Sequence, residues 1–273
     1  MSAEIKLGCY IESIATPSSR NADGQVMLKT SDGQFVSFDE VVVTAPLGWL
    51  KKNHGDVFSP GLPAPLCAAI ENISLSHLEK VFITFPSAFW SPKDPSGEEF
   101  PAYTNWLRPS YAHETNSKGW PQEIWDLSSF APPNRHPTIL FYTYGDCSRH
   151  IVSSISAMSS AEEFGFLDDF FRPYYSRLPG FDAASAECRP RAILASKWQN
   201  DPLSGNASYC NFQVGIKSAD KDIMAFRDGC PDRRLWFCGE HAAPFEECGT
   251  VAGAYLSGEA TGRKILALYG QDK

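Results

Sequence analysis

The first residue whose position indicates chemistry is a lysine inside an apolar strand pattern that runs from Leu78 to Phe85. Alternation with period two puts Lys80 on one strand face with apolar neighbours, whereas Glu79 lies on the opposite face. The amine either extends to solvent from a strand edge or is held partly buried. In the second case it can order a water beside a reactive atom. Spacing alone leaves both interpretations open.

Aromatic residues in the segment 196–215 are the second feature. Trp198 and Tyr209 can form walls for a flat ring or for a cationic amine, which aromatic faces attract by roughly 0.5–2 kcal/mol. Ordinary core packing is the alternative for each of them. The segment therefore predicts either a binding wall or part of the core.

The C-terminal segment is the third feature. A short apolar strand, 235–238, is followed by Gly239 and Glu240, a loop, and a helix that begins near Thr250 and Val251. The free amides and partial positive charge of a helix N-terminus favour the negative edge of a ligand. Small residues on one face of this helix predict close packing against a sheet, a helix or a flat ligand: Ala252, Gly253, Ser257, Ala260 and Thr261.

Other kinds of site lack support in the sequence. The six histidines show no spacing typical of metal ligands, so we expect no metal site, and neither a nucleophile elbow nor a phosphate-binding loop occurs. The net charge of −8 argues against nucleic-acid and anionic-membrane partners, and no apolar run is long enough to span a bilayer. Eight cysteines without a C-x-x-C pair favour free thiols in a reducing, cytoplasmic setting.

Alternating strands and helices must position these residues. We expect a hairpin at Asp32-Gly33, and a strand covered on both faces at 41–45 because its apolar residues do not alternate. A capping box from Ser160 to Glu163 predicts the start of a helix that ends at Pro179-Gly180. The remaining predictions are strands within 5–44, 78–85, 139–145 and 192–198, a helix within 60–73, and a long irregular region, 86–137.

Four segments together resemble the C-terminal half of flavin-containing amine oxidases. They are VVVTAPLGWLK (41–51), EKVFITFPSAFW (79–90), SKWQNDPLSGNASYCNFQVG (196–215) and LWFCGEHAAPFEECGTVAGAYLSGEATGRKIL (235–266). The likeness is closer to polyamine oxidases than to histone lysine demethylases. The last segment is the most specific, since its order of strand, loop and helix also agrees.

The resemblance implies an α/β fold in two parts. Residues 1–48 and 231–273 would belong to a partial Rossmann-like FAD-binding domain. Residues 49–230 would form an α+β substrate-binding domain with a mixed sheet. Within it, residues 92–150 match the family least and would shape the substrate cavity.

The resemblance also implies roles for individual residues. Lys80 matches the lysine that holds a water against flavin N5, so it is the expected catalytic residue. Tyr209 matches one wall of the cage through which the amine approaches, and Thr250 stands where the other wall is often tyrosine. Ala207 or Ser208 stands where monoamine oxidases carry their flavin-linking cysteine, so we expect non-covalent FAD. Further FAD contacts are implied for Ile11, Trp198, Gly239, Glu240, Thr250 and Val251.

The activity implied by the resemblance is FAD-dependent oxidation of an amine C–N bond to an imine, with oxygen reduced to hydrogen peroxide. The partners would be a polyamine-like small-molecule amine and oxygen. However, the chain contains no G-x-G-x-x-G fingerprint for the cofactor pyrophosphate. A second interpretation is therefore a truncated, non-catalytic fragment that binds FAD only with a missing N-terminal half or partner chain. A third is a related flavoprotein such as an amino-acid oxidase, for which Arg108, Arg149 and Arg191 are candidate carboxylate ligands.

Overall fold

A computed structural model describes residues 3–22, 24–91 and 102–270 of the chain. Its mixed helices and strands confirm the α/β class expected from the sequence. The α-helices are α1 (Leu47–Val57), α2 (Ala64–Asn72), α3 (Gly145–Ile155), α4 (Ser160–Tyr175), α5 (Ala219–Asp228) and α6 (Val251–Leu268). The strands are β1 (Ile11–Ala15), β2 (Val26–Thr30), β3 (Phe35–Phe38), β4 (Val41–Val43), β5 (Phe58–Ser59), β6 (Ser74–Ser76), β7 (Leu78–Thr84), β8 (Tyr103–Trp106), β9 (Gln122–Asp126), β10 (Thr138–Tyr144), β11 (Ala192–Ala195), β12 (Tyr209–Asn211) and β13 (Leu235–Phe237).

The chain divides into two compact units. The first unit is Met1–Ser76 with Asp201–Lys273, and the second unit is His77–Asn200. The division predicted from the sequence, 49–230 against the two ends, follows substrate and cofactor roles. Packing within the chain does not test those roles, so that division stays a prediction.

The first unit contains a mixed sheet of four strands in the order β3-β2-β1-β5. In it, β1 pairs antiparallel with β2 and parallel with β5. The hairpin predicted at Asp32-Gly33 is confirmed, because β2 and β3 pair antiparallel on either side of it. Gly33 has a φ of +83°, a left-handed value that glycine adopts without steric cost.

The strand predicted at 41–45 is β4, which pairs in parallel with β13 so that Val43 lies opposite Phe237. All of β13 is buried, as its continuous apolar sequence predicts. The prediction that β4 is covered on both faces is wrong, since Val42 is 40% exposed. A pocket described below lies beside Val42 and leaves that face open.

The second unit is built on an antiparallel sheet of five strands in the order β11-β7-β10-β9-β8. One face of the sheet packs against α3 and α4, where Val81, Ile83 and Phe141 meet Phe171 in a single core. All strand pairs of this five-stranded sheet are antiparallel, whereas the four-stranded sheet of the first unit is mixed.

Strand β7 follows the alternation predicted from the sequence. Glu79, Val81 and Ile83 are buried, whereas Lys80 and Phe82 are half-buried on the other face. Because β7 lies between β11 and β10, Lys80 is held in the middle of a sheet and not at its edge. This position supports the second of the two interpretations given above for the lysine.

The small residues of α6 form a narrower seam than predicted. Gly253, Ser257 and Thr261 are buried, whereas Ala252 is exposed to solvent. A side chain at Gly253 would lie 2.0 Å from the carbonyl oxygen of Glu247, so only glycine fits there. Close packing of this helix against the preceding loop is therefore confirmed.

The structure changes several other element predictions. The helix within 60–73 is the shorter α2, and the patterns did not predict α1, α3 or α5. The region 86–137 contains the short strands β8 and β9, and its residues 92–101 lie outside the described residues.

Three further findings concern the described ranges alone. None of their helices is long and apolar enough to cross a bilayer. The same residues contain no cluster of three histidine, cysteine or acidic side chains that could hold a metal ion. All eight cysteines are free thiols.

The capping box that begins α4 is one residue earlier than predicted. Ser159 is the N-cap: its backbone amide donates to Glu162 Oε2 at 2.8 Å, and its hydroxyl accepts from the Glu162 amide. Both serine-to-glutamate frames occur in the sequence. The predicted frame of Ser160 and Glu163 is not used, because Glu163 instead pairs with Lys197 at 2.6 Å.

Replacing Ser159 by alanine is expected to lower the free energy of unfolding by about 1 kcal/mol, because amides at the start of α4 lose their side-chain acceptor. Urea denaturation of purified protein measures this change. Ser160→Ala is the matched control, since Ser160 is exposed in the first turn. An equal or larger loss in the control would contradict the assigned cap.

Candidate functional site

Lys80 lies on β7, an interior strand of the second unit's sheet. Its backbone amide donates to Ser196 Oγ at 2.9 Å, and its carbonyl accepts from the Ser196 amide at 2.9 Å. The side-chain ammonium lies 5.5 Å from the centre of the Tyr142 ring, on the neighbouring strand β10. An ammonium over an aromatic face is held by the ring quadrupole, which fixes its direction.

Aromatic residues continue from Lys80 across the open face of this sheet. The Trp125 ring lies 6.4 Å from that of Tyr142, and the Tyr103 ring lies 5.1 Å from that of Trp125. Tyr103 donates its hydroxyl proton to Glu123 at 3.1 Å. We call this surface the aromatic face; it combines rings that attract cations with one carboxylate. The sequence did not indicate this face, because strands β8 and β9 lie in a region predicted to be irregular.

Glu79 ties the Lys80 strand to the segment that carries Trp198. This carboxylate is fully buried and accepts from Ser196 Oγ at 2.5 Å and from the Gln199 amide at 3.0 Å. A buried carboxylate is stable only when its oxygens are hydrogen-bonded, as they are here. Glu79 was not among the predicted site residues, although a carboxylate on the apolar face of a strand is a usable signal.

Trp198 lies in a short 3₁₀ turn, Trp198–Asn200, and its side chain is 45% exposed. It is therefore not an ordinary core aromatic, which was the alternative given above. Ser196, which is hydrogen-bonded to the Lys80 backbone, lies two residues before Trp198 in the same unit. The structure thus brings two of the predicted site residues together in the second unit.

Tyr209 and Gly249 meet in the first unit. Tyr209 begins β12, which pairs with β6, and is half-buried. Gly249 has a φ of +77°, and a side chain there would come within 2.9 Å of the Tyr209 ring. Glycine is required on both counts. Tyr209 therefore lies next to the N-terminus of α6, where Thr250 is the N-cap.

Glu240 forms a brace between the segments that carry Tyr209 and Gly249. Its two carboxylate oxygens accept from the backbone amides of Cys210, at 3.0 Å, and of Gly249, at 2.9 Å. This carboxylate therefore joins strand β12 to the loop that precedes α6. The FAD contact implied for Glu240 stays a prediction, but the brace gives the residue a structural role that the sequence did not indicate.

Thr250 is the N-cap of α6, and its hydroxyl accepts from the Gly253 amide at 2.8 Å. Val251 follows and is 89% exposed. Within the described ranges, the amides of Val251 and Ala252 form no hydrogen bond, so they are available to an acceptor outside the unit. A Glu247 carboxylate oxygen lies 3.4 Å from the Thr250 hydroxyl and partly offsets the positive charge of the helix end.

His241 follows the Gly239-Glu240 turn and is fully buried. Its ring packs 4.7 Å from that of Phe226. Among the described residues neither ring nitrogen has a hydrogen-bond partner. Burial without a partner disfavours the charged imidazole and lowers the pKa of His241 to about 4. A side chain at position 239 would lie 2.8 Å from this ring, so Gly239 makes room for it. The FAD contact implied for Gly239 stays a prediction.

The stability of the protein is expected to fall in mild acid because of His241. The unfolded imidazole binds a proton near pH 6.5 and the folded one only near pH 4, so stability present above pH 6.5 is lost as the pH falls towards 4. At pH 5 the loss amounts to about 2 kcal/mol. Urea denaturation at pH 7.5 and pH 5 should show this loss in the wild type and a smaller loss in His241→Leu. The exposed His113→Leu is the control, and equal pH slopes in wild type and His241→Leu would rule His241 out as the cause.

Ile11 lines an open pocket of about 390 Å³ in the first unit. The wall consists mainly of apolar residues of β1, β4 and α1, including Val42, Val43 and Trp49. Thr44 also borders it. Ligand pockets of about 300–1,000 Å³ with apolar walls and a few polar groups are typical of cofactor sites.

The residues of the first unit fit a flat aromatic cofactor with a negative edge. The pocket at Ile11 can take an apolar ring system, and the start of α6 offers free amides beside the exposed Val251. The first unit contains Ile11, Tyr209, Gly239, Glu240, Thr250 and Val251, and the second contains Lys80 and Trp198. Of the six residues in the first unit, Ile11 lines the pocket and the other five do not.

Comparison with known proteins identifies the family. Residues 2–266 match the family described as flavin containing amine oxidoreductase. The chain is 25% identical over 269 residues to the Lysine-specific histone demethylase 1B homolog of Caenorhabditis elegans, which covers 97% of this chain and 30% of that protein. It is 31% identical over 246 residues to the Lysine-specific histone demethylase 1 homolog 2 of Arabidopsis thaliana, covering 86% and 28%.

Polyamine oxidase 1 of Zea mays is a further relative, 28% identical over 235 residues that cover 86% of this chain and 41% of that protein. The chain thus spans between 28% and 41% of the length of these relatives. The match over nearly all of its residues confirms the resemblance inferred from the four sequence segments. The chain belongs to the flavin containing amine oxidoreductase family, whose members use a flavin cofactor.

Proposed function

We propose that the chain carries FAD-dependent oxidation of an amine, in which a C–N bond is converted to an imine and oxygen to hydrogen peroxide. When bound, FAD supplies the redox chemistry by accepting two electrons from the amine and passing them to oxygen. The observation that carries the proposal is the placement of Lys80. Its ammonium lies on a central strand, half-buried and directed over Tyr142, at one end of the aromatic face.

Lys80 would hold a water and control its proton at the reacting centre. A central strand fixes the lysine backbone through Ser196, and the buried Glu79 fixes Ser196 in turn. A group held this firmly contributes to rate through orientation as well as charge. Trp198 lies between Ser196 and Gln199, which are both hydrogen-bonded to Glu79, and would line the cofactor ring.

The aromatic face suits a cationic substrate. Rings of Trp125 and Tyr142 attract ammonium groups, and Glu123 offers a charge opposite to that of a second amine. A polyamine or an alkylated lysine side chain has the required positive charge and apolar stem. In the first unit, Tyr209 beside Thr250 would form a further wall for the amine.

FAD would be bound non-covalently by the groups already named in the first unit. Ala207 is buried, Ser208 donates to the carbonyl of Ser76 at 2.7 Å, and Cys210 is buried. Since Cys210 is the cysteine of this segment, its burial supports a cofactor held by packing and hydrogen bonds alone.

Reconstitution with FAD tests the proposal. Purified protein is incubated with FAD, freed of unbound cofactor and examined for the visible absorbance of bound flavin. Peroxide release is then measured with spermine, N-acetylspermidine, tyramine, a methylated-lysine peptide and L-amino acids. We expect bound flavin and peroxide with one of the cationic amines. Peroxide with L-amino acids alone would favour the amino-acid oxidase alternative.

A second candidate function is supported by the parallel pair of strands. Among the described strands, β4 and β13 pair only with each other, apart from a bridge between Leu235 and Cys230, and Val42 is exposed beside the pocket at Ile11. An unpaired strand edge next to an apolar pocket favours pairing with a partner segment. Protein that stays colourless with FAD, and gains flavin only with such a partner, would establish this alternative.

A further inference from the structure

Two cysteines meet at the brace formed by Glu240. Cys210 lies in β12 and is buried, whereas Cys248 lies in the loop before α6 and is half-buried. One carboxylate fixes both segments, because it accepts from the Cys210 amide and from the amide of Gly249, the residue after Cys248. The two backbones are therefore held together independently of any contact between the thiols.

The two thiols also act on each other electrostatically. Cys210 lowers the pKa of Cys248, and Cys248 raises that of Cys210. The charge of Arg227 also lowers the pKa of Cys248, whereas burial and the carboxylates of Glu240 and Glu246 act against it. As a thiol, Cys248 lies 3.5 Å from the carbonyl oxygen of Ala243. The half-buried sulfur of Cys248 is thus the more nucleophilic of the pair.

We infer that Cys248 and Cys210 form an oxidative modification site, in which a hydroperoxide converts the two thiols to a disulfide. The pairing rests on the shared Glu240 brace and on the apolar cluster that contains Cys210 and against which Cys248 packs. Cys9, although exposed, has no such partner among the described residues, and no lone thiol in this chain offers the same chemistry.

The reaction balances with hydrogen peroxide as the oxidant. The Cys248 thiolate attacks one peroxide oxygen, an S–O bond forms, and the O–O bond breaks, so that water leaves after protonation. The Cys210 sulfur, having lost its proton, then attacks the sulfenic sulfur; an S–S bond forms and a second water leaves. Two thiols are oxidised by two electrons while one peroxide is reduced to two waters. The two sulfurs must approach to about 2 Å for the bond to form.

The bond would lock a part of the candidate site. It would join the residue after Tyr209 to the loop two residues before Thr250, and so tie together the two residues implied for the amine path. The site does not depend on the proposed activity, since peroxide can be supplied from solution. If the activity is present, the same site would respond to its product.

Thiol mapping tests the inference. Reduced protein is treated with hydrogen peroxide, denatured, alkylated and examined by intact mass and peptide mapping. We expect the wild type to lose two of its eight alkylated thiols and about 2 Da before alkylation, with a mapped Cys210–Cys248 disulfide. Cys9→Ser, the matched control, should behave in the same way. Cys248→Ser should slow thiol loss by about tenfold.

Cys210→Ala separates the two steps, because Cys248 should then accumulate a sulfenic acid that dimedone traps. If this variant does not fold, Cys248→Ser alone decides the question, since it replaces a half-buried sulfur by an oxygen of similar size. Equal rates of thiol loss in wild type and Cys248→Ser would overturn the inference. So would a disulfide mapped to other cysteines, or a Cys248 sulfinic acid without disulfide.

Discussion

Replacing Lys80 by methionine is expected to slow amine oxidation in FAD-loaded protein by about a hundredfold or more. A positioned acid–base group contributes about 10²–10⁴ to a rate. Methionine keeps the apolar stem against Phe82 but removes the ammonium that lies over Tyr142. Anaerobic stopped-flow mixing with the amine measures flavin reduction, and mixing of the reduced protein with oxygen measures reoxidation. At least one of the two rates should fall.

Lys118→Met is the matched control for loss of a lysine, because Lys118 is exposed in the same unit. It should leave both rates unchanged. The free energy of unfolding of Lys80→Met should lie within about 1 kcal/mol of the wild-type value, since the variant loses the contact with the Tyr142 ring but no ion pair with a described residue. Wild-type rates in Lys80→Met would remove this residue from the mechanism, whereas lost flavin binding would assign it a structural role.

Sequence patterns predicted the Lys80 strand because its physics is local. A sheet with one face under α3 and α4 imposes period-two burial, and β7 shows that alternation at every position. The central place of β7 could not be predicted, since it depends on pairing with β10 and β11, which are distant in sequence. The aromatic face was missed for the same reason, because three strands, β8, β9 and β10, must align before the rings of Tyr103, Trp125 and Tyr142 meet.

Helices without a complete apolar stripe were also missed. In α1, apart from Val57, the buried residues lie in the first turn, from Leu47 to Leu50, so no regular spacing runs along its length. The error in the α4 cap has another cause: two serine-to-glutamate frames overlap, and the ion pair of Glu163 with Lys197 decides between them. Tertiary contacts, which local patterns do not contain, settled both cases.

Within the candidate site, the sequence identified residues but not their partners. The resemblance indicated Tyr209 and Glu240 as separate contacts to substrate and cofactor. The structure joins their segments through a carboxylate brace and a glycine with positive φ. Such contacts join segments that are 30 to 40 residues apart in the sequence, where neither segment alone shows a signal.

The two segments 41–51 and 196–215 are themselves joined by a contact between glycines. A side chain at Gly205 would lie 1.9 Å from the backbone carbonyl carbon of Gly48, and one at Gly48 would lie 2.5 Å from the backbone oxygen of Ser204. Backbone atoms cannot rotate away as a side chain can. This contact therefore fixes α1, beside the pocket at Ile11, against the loop that leads to Tyr209.

Gly205→Ala is expected to lower the free energy of unfolding by more than about 3 kcal/mol, a large part of the roughly 5–15 kcal/mol of a typical domain. Urea denaturation measures the loss. Gly215→Ala is the control for backbone strain alone. Its φ of +95° is positive like the +80° of Gly205, but a side chain at Gly215 meets nothing within 4 Å. The control should lose only about 1–2 kcal/mol. Equal losses would mean that strain alone, and not the contact with Gly48, makes glycine necessary; a larger loss at Gly205 would show that the contact holds the two segments together.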